Sequence, residues 1–217
     1  MSTSDELRMP PTIYMVRHGE TAWSLSGQHT GITDLALTPN GEDQARALAP
    51  VLANTAFAHV LTSPLRRARE TCALAGLAST AIIEPDLIEW NYGDYEGKRS
   101  ADIRAHRPDW SVFRDGCPGG ETPDQIACRA DRLIVRLRKL TGNVALFGHG
   151  QFGRCLAARW IDLALVEARR LTLDTASLGI LGHDRNHQDT RVIALWNFVP
   201  GALRSSERTT LLRDRTQ

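Results

Sequence analysis

Arg17-His18-Gly19-Glu20-Thr21 follows Thr12-Ile13-Tyr14-Met15-Val16, a short apolar run of strand-forming residues that ends abruptly in polar ones. A neutral imidazole nitrogen is a nucleophile, and a guanidinium beside it can hold an anionic phosphoryl group. His149-Gly150 repeats the arrangement after a second apolar run, Val144-Ala145-Leu146-Phe147. In open α/β sheets ligands bind at the carboxyl edge of the strands. Two such junctions on neighbouring parallel strands would bring both imidazoles to one rim. Glycine after each histidine lets backbone approach a ligand closely. A helix after Gly150 would also aim N–H groups at an anion. Taken singly, Arg-His-Gly also reads as an ordinary polar loop, and a lone histidine as a structural one. Short motifs recur by chance, and the pairing is what gives this one weight.

A third junction, Ser63-Pro64-Leu65-Arg66-Arg67-Ala68-Arg69, puts three arginines into the first turns of a helix. The helix dipole favours negative charge there. The placement makes sense when one arginine faces a phosphate. Arg67 is assigned that place, and Arg66 and Arg69 the solvated surface. Expelling an alkoxide from phosphorus needs an acid. In the segment Asp86 to Gly97, Glu89, flanked by Ile88 and Trp90, is the candidate, while Asp86 and Glu96 read as turn or surface carboxylates.

These residues need a scaffold, and the chain supplies alternating strand and helix signals. Strands are expected at 12–16, 58–61, 81–83 and 144–147, with two late ones at 177–181 and 191–196 joined by a polar turn. Thr38-Pro39 and Ser63-Pro64 each read as an N-cap followed by proline at the first helical position. Thr122-Pro123-Asp124-Gln125 adds a capping box. The helices they open would run over about 39–52, 65–77 and 123–140. Ala45, Leu48, Ala49 and Leu52 recur at helical spacing in the first, and Ile126, Leu133, Ile134 and Leu137 face inward in the third. Residues 22–37 read as a loop. Residues 84–121 read as irregular, with one short helix near 100–105, and are too long to be a mere connection. Strands alternating with helices indicate an α/β layered fold with a largely parallel sheet.

At 217 residues the chain suits one domain, 1–217, with tails at 1–10 and 201–217 expected to be flexible. A net charge of +1 provides no global field for nucleic acid or membrane, so any anion site must be built locally. The N-terminal residues carry no apolar core of a signal peptide, and no apolar stretch is long enough to span a bilayer. Cys72, Cys117, Cys128 and Cys155 form no CxxC pair and read as reduced thiols of a cytoplasmic protein. His183 and His187 would make a metal pair only on a helix, and the residues between them read as a turn.

In its order of motifs the chain resembles the histidine phosphatase superfamily, the phosphoglycerate-mutase-like group. The matching pieces are Arg17 to Thr21, Ser63 to Ala68, Glu89 to Gly97, and His149-Gly150, and together they span most of the chain. The resemblance implies a three-layer αβα sandwich around a largely parallel, mixed sheet, with no metal or organic cofactor. It implies that His18 is phosphorylated, that Arg17, Arg67 and His149 hold the phosphate, and that Glu89 donates a proton. Within the group the chain is similar to fungal-type sedoheptulose 1,7-bisphosphatases and their bacterial relatives. That likeness rests on Trp23 to Gly31, Glu89 to Gly97, Phe113 to Glu121 and Arg154. Ser24 replaces an asparagine common in mutases, and His29 stands in place of a tyrosine. Ser24, His29, Thr30, Gly31, Tyr92, Gly150 and Arg154 would then bind the rest of the substrate, or else pack their loops, with Arg114 a further cation. The implied activity is hydrolysis of a small phosphorylated metabolite such as a sugar bisphosphate. A cofactor-dependent phosphoglycerate mutase and a catalytically silent phospho-ligand module are the rivals. The expected partner is a small phosphorylated substrate, with neither nucleic acid nor membrane; a homo-oligomer stays open.

Overall fold

A computed structural model describes residues 10–201. The expected tails therefore lie almost wholly outside the described residues. The six strands are β1 (Thr12–Arg17), β2 (Phe57–Thr62), β3 (Ala81–Ile83), β4 (Asn143–Gly148), β5 (Leu178–His183) and β6 (Arg191–Phe198). They form one sheet in the order β3-β2-β4-β1-β5-β6. The first four are mutually parallel, and β5 and β6 add an antiparallel edge.

Period-two alternation sends side chains to both faces of the sheet. Ile13, Met15, Val144 and Leu146 point to one face, into an apolar cluster with Ile126, Leu133, Leu137, Phe152 and Leu156. The helical ones belong to α6 (Pro123–Leu137) and α7 (Gly150–Trp160), two of seven α-helices among the described residues. Val16, Ala145, Phe147 and Val60 point to the other face and meet Leu48, Leu52 and Cys72. These come from α2 (Pro39–Leu52) and α3 (Arg66–Leu74). The result is an α/β fold of three layers, as expected.

Two expected caps are in place. Thr38 accepts from Gly41 N at 3.0 Å, and Thr122 with Gln125 closes a capping box. The third is not. α3 starts at Arg66 with Leu65 as an N-cap that makes no side-chain hydrogen bond, so Ser63-Pro64 is not the cap, and the helix ends at Leu74 rather than Leu77. Two short helices interrupt stretches read as irregular: α1 (Ala22–Ser26) and α5 (Val112–Asp115). α1 is held by a local Thr21–Ser24 capping box and ends at Gly27 in the left-handed region. The short helix expected near residue 100 is α4 (Ser100–Arg104). The β5–β6 turn is closed by Asp184, whose Oδ1 accepts from Asn186 N and His187 N, so His183 and His187 share no helix face. The four cysteines are unpaired. Among the described residues no helix is long and apolar enough to cross a membrane.

Candidate active site

Arg17 pairs with Gly148 in the parallel β1–β4 register, so His18 and His149 leave the sheet side by side. His18 N donates to Gly148 O at 3.0 Å, and the two ring centroids lie 5.3 Å apart. Above this edge opens a cavity of about 230 Å³, lined by Arg17, His18, Glu89, Tyr92, Gly150 and Arg154, with Ser24, His29 and Thr30 on the rim that α1 begins. Sequence reasoning gave no substrate role to five further lining residues, Gly27, Gln28, Ser100, Gln151 and Leu173. Only their position in the fold reveals them.

The imidazole of His18 is buried, and its Nδ1 donates to the Gly19 carbonyl at 2.6 Å. That contact places the lone pair on Nε2. Burial, then the charges of Arg67 and Arg17, push the imidazole well below its ordinary range, so it is neutral at physiological pH. Glycine at 19 serves packing rather than a ligand. A Cβ there would lie 2.3 Å from the Gly41 carbonyl at the start of α2.

Arg17 rises from the end of β1 and donates through Nη1 to the Leu173 carbonyl. Its Nε is buried and has no hydrogen-bond partner among the described residues, which leaves a charged donor unspent at the cavity wall. Gly150 keeps this guanidinium in place: a Cβ at 150 would lie 3.2 Å from Arg17 Nε.

Arg67 is fully buried, but it does not line the cavity. Nε donates to His149 Nδ1 at 3.2 Å, Nη1 to Thr33 O at 2.9 Å, and Nη2 to Thr30 O and Gly31 O at 3.1 and 2.9 Å. Four of its five N–H groups are thus engaged, which leaves a single donor for a phosphate. His149 is likewise beside His18 rather than on the cavity wall. Its Nδ1 accepts from Arg67, so Nε2 carries the proton and donates to Ser63 Oγ at 2.7 Å. Burial and the neighbouring charges hold it neutral as well. Ser63, read from sequence as a helix cap, is an orienting partner of His149. Arg66 is on the surface, paired with Glu70 at 2.6 Å.

Glu89 lines the cavity yet is anchored by backbone. Oε1 accepts from Trp90 N at 2.8 Å and Phe152 N at 2.7 Å, and Oε2 from Gln151 N at 2.9 Å. The anion that the start of α7 was expected to attract is therefore this carboxylate, with the dipole and the open N–H groups supporting it. Asp86 lies away from the cavity, bound to Arg132 and Arg136. Glu96 sits in a turn, as read from the sequence, but its carboxylate points inward. It accepts from Gly31 N at 2.8 Å and Thr33 N at 3.0 Å, clamping from one side the loop that Arg67 grips from the other.

The outer wall is mostly neutral. His29 stacks on Tyr92 with centroids 4.5 Å apart, and its Nε2 meets Ser100 Oγ at 3.1 Å. Burial takes its pKa down to about 4. Burial raises the Tyr92 phenol well above its ordinary value, so it keeps its proton. Two expected contacts correct themselves. Gly31 packs rather than lines the cavity, since a Cβ there would lie 2.4 Å from the Trp90 carbonyl. Arg114 is exposed and bound to Asp115. Arg154 reaches the cavity but spends three N–H groups on Ala168 O, Arg169 O and Gln151 Oε1. Among the described residues no group of three or more His, Cys, Asp or Glu side chains is placed to hold a metal ion.

The chain shares this architecture with known proteins. A family model described as the histidine phosphatase superfamily (branch 1) matches residues 13–197. The chain is 39% identical to an acid phosphatase of Mycobacterium tuberculosis, covering 84% of this chain and 92% of that one. It is 37% identical to sedoheptulose 1,7-bisphosphatase of Saccharomyces cerevisiae, covering 72% and 70%. A solved structure of an open reading frame product from Mycobacterium tuberculosis superposes with a TM-score of 0.81 at 37% identity, covering 87% and 98%. The chain belongs to branch 1 of the histidine phosphatase superfamily, and it is a phosphatase of that family acting on a phosphorylated small molecule.

Proposed function

We propose that the chain hydrolyses a phosphomonoester of a small polyhydroxylated metabolite, a sugar bisphosphate such as sedoheptulose 1,7-bisphosphate, through a phosphohistidine at His18. The observation that carries the reading is the neutral His18 at the cavity, its proton pinned on Nδ1 by Gly19 and its Nε2 lone pair available. In the first half-reaction Nε2 attacks phosphorus in line, an N–P bond forms, and the P–O bond to the alkoxide breaks. The Glu89 carboxyl gives its proton to the departing oxygen. In the second half-reaction Glu89 takes a proton from water, the water oxygen attacks phosphorus and the N–P bond breaks. Arg17, at the cavity wall, balances charge on the non-bridging oxygens, and Arg67, buried behind the wall, adds the field of its positive charge. His149 acts from behind, holding the Arg67 guanidinium in register.

The wall of Ser24, His29, Thr30, Tyr92, Ser100 and Gln151 supports a hydroxyl-rich body, because it offers neutral donors and acceptors. The second phosphate of a bisphosphate would fall to the two uncommitted N–H groups of Arg154. The likeness to the yeast bisphosphatase supports the same choice.

The test is a rapid quench with phosphate-labelled substrate under alkaline conditions, alongside release of inorganic phosphate. Wild type should accumulate an acid-labile label on His18, and His18→Ala should lose both label and turnover while melting normally. More than a few per cent of residual turnover in that variant refutes the assignment. Isomerisation of 3-phosphoglycerate without release of free phosphate would instead indicate a mutase, and ligand binding with no turnover a silent module.

A further inference from the structure

Glu89 is delivered by a chain segment with little regular structure of its own, 84–92. Something else must fix it, and one largely buried ion pair reaches most of its support. Arg129 of α6 is 7% exposed. Its Nε and Nη2 reach both carboxylate oxygens of Glu121, at 3.0 and 2.8 Å, in a bidentate fork. The remaining N–H groups go to backbone on either side of the acid: Nη1 to Asp86 O and Ile88 O, and Nη2 to Glu89 O at 3.3 Å. The same guanidinium lies 4.1 Å from the Phe152 ring centroid, and Phe152 N is one of the donors that hold Glu89 Oε1. Glu121 completes the frame. Its Oε2 accepts from Asn91 N at 2.9 Å, and its carbonyl from Trp90 Nε1 at 3.0 Å.

We propose that Arg129 and Glu121 are positioning residues that hold the Glu89 carboxyl group where, in its protonated form, it can protonate the leaving oxygen. The proposal rests on the reading of Glu89 as proton donor given above. Neither residue lines the cavity, so they act through Glu89 and not on substrate. An ion pair inside a protein is a weak source of stability, because desolvation offsets most of the attraction. Its geometric value here is distinct: Arg129 fixes the strand of backbone that carries the acid and the helix start that receives its oxygens. A misplacement of about 1 Å at such a group costs on the order of 10²-fold in rate.

The experiment compares phenyl phosphate, whose leaving group needs a proton, with p-nitrophenyl phosphate, whose leaving group does not. Arg129→Lys keeps the charge and loses the fork. It should lower kcat/KM for phenyl phosphate by about 10²-fold and for p-nitrophenyl phosphate far less. In a Glu89→Gln background the same change should add little, because the group it positions is already gone. Equal losses on both esters, or losses that multiply in the double variant, overturn the proposal and leave Arg129 a structural residue. Glu89→Gln alone separates the two failures. If it does not discriminate between the esters, the reading of Glu89 fails; if it does and Arg129→Lys does not, only the positioning role fails. Should Arg129→Lys not fold by circular dichroism, Glu121→Gln, which leaves one oxygen for the fork, carries the same comparison with the same two outcomes.

Discussion

Arg67 Nε donates to His149 Nδ1 at 3.2 Å, so a cation from α3 sets the tautomer of an imidazole 82 residues further along the chain. The bond leaves His149 only one proton to give, and Ser63 takes it. Arg67 therefore does two things at once: it orients His149 and gathers three carbonyls of the 30–33 loop. Arg67→Lys cannot replace the fork. It should lower kcat/KM by ~10²–10³-fold, the usual cost of one fixed donor at a transition state. It should also raise hydrogen exchange at residues 30–33. Lost activity with unchanged exchange in that loop would contradict the dual role.

Glu89→Gln should hurt esters of poor leaving groups far more than aryl phosphates with good ones, by roughly 10²–10⁴-fold, the range of general acid catalysis. Kinetics on a sugar phosphate and on p-nitrophenyl phosphate provide the check. Equal losses on both would reduce Glu89 to an anchor for the start of α7.

His29, held neutral down to about pH 4, predicts a specific acid sensitivity. The unfolded chain takes up a proton there near pH 6.5 and the folded one does not, so the contribution is complete above about pH 6.5 and is lost as pH falls towards 4. Its full extent is on the order of 3 kcal/mol. His18 and His149, also depressed, act in the same direction. His29→Phe keeps an aromatic ring against Tyr92 and should flatten the fall of melting temperature between pH 6.5 and 4. Parallel curves for wild type and variant would refute it.

Arg154→Ala should lower kcat/KM for a sugar bisphosphate by about 10- to 100-fold, the worth of a charge-assisted hydrogen bond, and affect a monophosphate analogue much less. Its tethers to Ala168 and Arg169 make a competing outcome clear. If mono- and bisphosphate suffer alike, Arg154 serves the 165–170 segment, and a broad monophosphatase is the better reading.

The scaffold was legible in the sequence wherever the signal was local. Apolar alternation marked the strands, Thr38-Pro39 and Thr122 to Gln125 marked two helix starts, and the two His-Gly junctions pointed to one rim because β1 and β4 are parallel neighbours. What stayed hidden depends on partners far away in the chain. Ser63 has the residue type of a cap and the neighbour of a cap, but its hydroxyl meets His149, and no local pattern carries that information. Glu96 read as a turn or surface acid, and Glu121 was given no role, because the backbone amides and guanidinium that claim them come from other elements. α1 was missed because its glycine-rich surroundings resemble a loop. Its four-residue capping box was the available clue.

The parallel pairing of β1 with β4 also sets when the protein becomes an enzyme. His18 and the end of the strand that seats it lie ~130 residues apart in the chain, about 7–26 s at ordinary synthesis rates. Until then His18 has neither the Gly148 carbonyl that receives its N–H nor the Arg67–His149 contact beside it. Any nascent or truncated chain that stops short of β4 carries the whole first motif and none of its chemistry.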